Sequence, residues 1–170
     1  LGHPTYSVTV ILFSMILATG IGSLISDRLD LEKRDLWVRI LPVAIGLNLL
    51  LWTLALQPLI EATISQSLIF RVALVVIVVA LASLPLGLCF PIGLRLVSRL
   101  SEGALPWMWG INGAAGVLAS VLAVAVSMWM GISTSLYVAA AAYALLALPG
   151  LQLWRRAAAR NSEGLAPGVD

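Results

Sequence analysis

Eight carboxylates, one histidine and one cysteine are the residues of this 170-residue sequence best able to move protons, hold metals or attack an electrophile. Asp27, Asp30, Glu32, Asp35, Glu61, Glu102, Glu163 and Asp170 all fall between or after the apolar segments. No apolar segment therefore carries a carboxylate, the group that an intramembrane proton relay or cation site usually needs. His3 is terminal, so neither a histidine-based metal cluster nor a nucleophile and base pair forms around it. Cys89 lies in an apolar run with no second cysteine to pair with, and reads as a small buried hydrophobe. The sequence predicts no catalytic, cofactor-binding or metal-binding residue, and no cofactor.

Two amides remain. Asn48 lies midway along an apolar run, and Asn112 lies early in another, within "PWMWGINGAAG", residues 106 to 116. An unpaired amide in hydrocarbon costs a few kcal/mol. Each is expected either to bond across a helix interface or to line a polar pocket that contacts a ligand. Gly20 and Gly22 have the spacing of a dinucleotide loop, but such a loop follows a strand and offers helix amides to phosphate in water. In an apolar helix, Gly20, Gly22 and Ser23 instead read as small residues that allow close helix approach.

The elements that must position these residues follow from composition. Hydrophobic residues make up 61% and charged residues 11% of the chain, where a soluble domain carries about 25% charged residues. Mean hydropathy is +1.03. The alternating pattern of a membrane barrel is absent, so the fold class is all-α, a polytopic transmembrane helical bundle. Five segments reach the length of about 20 residues needed to cross a bilayer. They cover about 6–25, 38–57, 72–94, 108–130 and 133–153, within a membrane domain over 1–154. A basic tail at 155–170 is expected to become disordered from Asn161 onward.

Charge sets the expected orientation. Arg28, Lys33, Arg34 and Arg39 follow the first segment, Arg95 and Arg99 close the third, and Arg155, Arg156 and Arg160 follow the fifth. Residues 58–70 contain no Lys or Arg, and the turn at Gly131 has no charge. The positive-inside rule then puts the amino terminus outside and the carboxyl terminus in the cytoplasm. Arg71 and Arg95 bracket the third segment and are expected to snorkel to opposite headgroup layers. The net charge of +2 belongs to this topology and implies no nucleic-acid partner. A positive region before the first apolar run, the mark of a signal peptide, is missing. The Leu1-Gly2 start suggests a piece of something longer.

Pro85 and Pro91, in "PLGLCFPIGLRL" (85 to 96), each remove a helix hydrogen bond, which predicts a kink or an unwound stretch in the third segment. The fourth is thin over its first turns. Gly110 with Ala114, and Gly116 with Ser120, are small-xxx-small pairs, and with Gly113 they form a helix-packing seam. Partners are accordingly the lipid bilayer and other membrane chains, or the remainder of a longer polypeptide.

Two resemblances follow from these residues. Asp27-Arg28 followed by Lys33-Arg34, after a Gly/Ser-rich helix end, resembles the cytoplasmic loop motif of major facilitator transporters. Ser23 stands where that motif usually has Gly, and the turn lacks its internal Gly. Taken in order, "LGHPTYS" (1 to 7), "GIGS" (20 to 23), "FPIGLR" (90 to 95) and "PWMWGINGAAGVLAS" (106 to 120) resemble the carboxyl-terminal helices of bacterial multi-spanning proteins fused to a spermidine synthase-like domain. This resemblance implies a multi-pass protein of the bacterial inner membrane, linked to polyamine chemistry, serving as scaffold or anchor for a larger unit. The synthase-like domain that would bind an S-adenosylmethionine-type cofactor is not within these residues. A role as part of a transporter, or as an accessory subunit of a membrane complex, stands beside it.

Overall fold

The computed structural model describes residues 4–29 and 36–164. Six α-helices, α1 (Pro4–Ser26), α2 (Leu36–Thr63), α3 (Leu68–Ser83), α4 (Leu86–Leu100), α5 (Leu105–Met130) and α6 (Ile132–Gly164), and one short 3₁₀ turn account for the described elements. No strand occurs among them. With α3 and α4 taken as one continuous span, five helical spans are long and apolar enough to cross a membrane: Pro4–Ser26, Ile40–Thr63, Leu68–Leu100, Leu105–Met130 and Ile132–Arg156. The chain is an all-helical protein built for a bilayer.

Where the third span divides, Pro85 is the cause. In an α-helix the amide of residue 85 would serve the carbonyl of Leu81, and proline has no N–H to give. The ladder is interrupted, yet Leu84 (φ −57°, ψ −46°) and Pro85 (φ −65°, ψ −30°) keep right-handed helical angles. The span is interrupted between Ser83 and Leu86 while its backbone stays in the helical basin, because Pro85 removes one hydrogen bond without forcing its neighbours out of it. Pro91 lies inside α4 and does not end it.

The core forms where α2 and α4 face each other and α6. Val38, Leu41, Ile45 and Leu49 recur at three- and four-residue spacing on α2, and Leu88, Ile92 and Leu96 at four-residue spacing on α4. Each set forms one stripe along its helix. Ala140 of α6 completes the buried cluster. On α1 the buried residues are Ser14, Ala18, Gly22 and Ser26, an uninterrupted four-residue ladder of small side chains. That ladder permits backbone contact. A Cβ at Gly22 would overlap the carbonyl of Leu84, and one at Gly87 would overlap the carbonyl of Thr19. A Cβ at Gly46 of α2 would stand 2.9 Å from the carbonyl oxygen of Ala140.

The last two spans form a helical hairpin. Gly131, at φ +91°, makes the reversal, a conformation that costs a residue with a side chain, and its N–H bonds to Ser127 O at 3.1 Å. Beside the turn, the hydroxyls of Ser127 and Ser135 meet at 2.7 Å, tying α5 to α6. Beyond the bilayer-length stretch, α6 continues through Gly164. The disorder expected from Asn161 is thus corrected for residues 161–164. "RRAAAR" supplies strong helix formers, and extending an existing helix is far easier than nucleating one. Residues 165–170 of the expected tail lie outside the described residues.

Candidate functional site

Asn48 and Asn112, alike in sequence, have different surroundings. The Asn48 side chain reaches from α2 to the carboxyl end of α3. Its Nδ2 donates to Ala82 O at 3.2 Å and to Leu81 O at 3.4 Å, and its Oδ1 accepts from Trp52 Nε1 at 3.0 Å. Leu81 O is the carbonyl that Pro85 leaves without a helical donor. The amide of one helix thus supplies the bond that proline removes from another, and both ends of Asn48 are engaged within the chain.

Asn112 is exposed and makes no hydrogen bond among the described residues. It lies on the wall of an open cleft of about 510 Å³ lined by α2, α4, α5 and α6. Leu41, Cys89, Ile92, Met108, Tyr143 and Leu153 contribute to a lining that is overwhelmingly apolar. The cavity exists because α5 lies against only part of the bundle. On its near side Trp109 meets Phe90 edge-on, with ring centroids 5.0 Å apart and planes at 74°. An aromatic pair of this geometry adds about 0.5–1.5 kcal/mol beyond area burial, which helps hold the amino-terminal turns of α5 against α4.

Beyond this contact and the Ser127 contact with α6, α5 is largely uncovered. No residue of this helix is buried. Gly110, Gly113 and Gly116 have no heavy atom within 4 Å of an added Cβ, and Ala114 and Ser120 are exposed. Ser120 Oγ bonds back to Val117 O at 2.7 Å and reaches no neighbour. The glycines used for close approach inside this chain are Gly22, Gly46, Gly87 and Gly150, while Gly20 stands in open space. Gly46 lies in the buried stripe of α2, whereas Gly87 lies off the Leu88, Ile92 and Leu96 stripe of α4 and faces α1.

Arg95 departs from its expected place. Instead of reaching only for headgroups, it caps the carboxyl end of α1, its Nη2 donating to Ser26 O and its Nη1 to Leu29 O at 3.3 Å. The last carbonyls of a helix carry partial negative charge, and a guanidinium there satisfies both the bonds and the dipole. Its Nε is buried and unpartnered, as is Nε of Arg71. Asp27 and Arg28 are exposed beside this cap, whereas Lys33 and Arg34 of the loop motif lie outside the described residues.

Among the described residues no three His, Cys, Asp or Glu side chains come together to hold a metal. The cavity offers an amide, a phenol and a thiol within an apolar wall. That arrangement suits holding an apolar or amphiphilic molecule better than transferring a proton. Compared with known protein families, characterised proteins and solved structures, the chain has no match.

Proposed function

We propose that this chain is a non-catalytic membrane segment of the spermidine synthase-like kind, a scaffold or anchor that packs through α5 into a larger membrane unit. The supporting observation is the exposed glycine face of that helix. Three glycines in the middle of a helix each cost about 1 kcal/mol relative to alanine, and Gly110, Gly113 and Gly116 gain no contact within the chain in return. Against another helix the same residues allow backbones to approach and gain dispersion contacts. The setting is a bacterial inner membrane, with the arginine-rich end of the bundle in the cytoplasm and the amino terminus outside.

The test is purification of the native chain in a mild detergent, at its natural level, with mass spectrometry of co-migrating proteins. A stoichiometric partner set that is lost from Gly113→Leu/Gly116→Leu, while the variant chain stays folded, is the expected result. A chain that runs alone, with the variant indistinguishable from it, overturns the proposal.

A second reading, part of a transporter, is favoured by one observation: Asn112 lines a cavity beside the interrupted third span. Under that reading Asn112→Leu abolishes uptake and leaves assembly intact.

A further inference from the structure

The cavity has a charged end. Val97 of α4 and Leu153 of α6 both line it. Arg99, Arg155 and Arg156 follow these two residues within three positions, or about 5 Å of helix rise. The nearest carboxylates along these elements are Glu102, just after α4, and Glu163, seven residues beyond Arg156 on α6. Arg155 and Arg156 are exposed and have no hydrogen-bond or ion-pair partner among the described residues. Arg95, on the same end of α4, already serves the carbonyls of α1.

We infer that this cavity is a binding site for one anionic phospholipid, with an acyl chain among the side chains of α2, α4, α5 and α6 and the phosphate at Arg155 and Arg156. Three observations carry the inference. The lining is apolar almost throughout, and its volume of about 510 Å³ falls within the range of about 300–1,000 Å³ that holds small ligands. Leu146 and Pro149 lie on its wall and are exposed, so the cavity communicates with the surroundings of the bundle. The cations stand at one end, in the register that a lipid requires: an anion in the headgroup layer above an apolar slot. Asn112 lies seven residues into α5 from Leu105, about 10 Å from the start of that helix. Its unpaired amide is then at the level of the glycerol esters, whose carbonyl oxygens accept hydrogen bonds.

This occupant is independent of the partner assigned to α5, because the glycine face of that helix is not needed to form the cavity. Zwitterionic lipid would fill the same slot but lose the net attraction to the arginines. Charge complementarity therefore selects the anionic class. A second copy of this chain would bring the same arginines to a site that already gathers them.

The experiment is native mass spectrometry of the full chain, released from detergent micelles doped with either phosphatidylglycerol or phosphatidylcholine of identical acyl chains. One phosphatidylglycerol retained per chain, in preference to phosphatidylcholine by about 25-fold, is expected from two arginines each contributing about fivefold. Arg155→Gln/Arg156→Gln removes that preference. Gly93→Phe, at a lining position where an added Cβ meets nothing within 4 Å, fills the slot and lowers retention of both lipids. Ala142→Phe, also on the wall, does the same from α6, so the test survives if one variant fails to fold by circular dichroism. Equal retention of the two lipids overturns the inference. So does phosphatidylglycerol binding that is unaffected by both filling variants, or a lipid-free dimer as the occupied state.

Discussion

At the scale of single residues, Asn48 and Pro85 form a matched pair, and that pairing makes a strong test. Asn48→Leu leaves Leu81 O and the Trp52 N–H without their side-chain partner. Polar contacts between membrane helices average about 0.6 kcal/mol and reach about 1.7. A loss near the upper figure is expected here because one amide serves three groups, and it is measured as reversible unfolding in mixed micelles. Pro85→Ala restores an N–H to Leu81 O. In that background Asn48→Leu is expected to cost less, and a double-mutant cycle with no coupling between the two positions would refute the account. The sequence made both residues visible as candidates, since an amide and a proline in apolar runs each leave a bond to be found. That they answer one another was not legible, because the 33 to 34 residues between donor and acceptor are bridged only by the fold.

At the scale of helices, the same residue type has opposite consequences depending on what faces it. Gly87→Ala places a methyl group on the backbone of Thr19, where α1 must move aside. Small-to-large changes at such contacts cost about 1–3 kcal/mol. Gly93→Ala and Gly110→Ala meet open space and gain the helix preference of alanine, about 1 kcal/mol at most. Thermal aggregation in detergent should therefore fall by several degrees for Gly87→Ala and stay level or rise for the other two. Equal effects at all three positions would mean that α1 does not pack on the interrupted span as described. The spans themselves were legible from local hydrophobic length, which is a property of each segment alone. Which glycine meets a neighbour is a property of two segments, so the spacing of the glycines in α5 is legible in the sequence and the contacts of Gly46 and Gly87 are not. Arg95 was misplaced for a related reason: a cation at a helix end reads as a headgroup anchor until the fold brings the carbonyls of α1 within reach.

At the scale of the whole molecule, the two ends of the bundle differ in chemistry, and this difference makes the proposed orientation measurable. One end carries Arg28, Arg39, Arg95, Arg99, Arg155, Arg156 and Arg160 beside Asp27, Glu102 and Glu163 among the described residues, and the other carries Arg71 and Glu61. Loops rich in arginine and lysine are retained in the cytoplasm because moving them across the membrane opposes both desolvation and the membrane potential. Under the proposed orientation residues 64–67, which join α2 to α3, lie outside, and residues 27–29 inside. Cys89 is the only native cysteine, and it sits on the cavity wall, so Cys89→Ala gives a blank background. In it, Gln66→Cys should react with an impermeant maleimide in intact cells, and Arg28→Cys only after the membrane is opened. The reverse pattern would invert the bundle and put the arginines, and with them the lipid phosphate, in the outer leaflet. It would also move the exposed face of α5 without changing it, since that face runs the length of the helix and offers the same packing surface in either orientation.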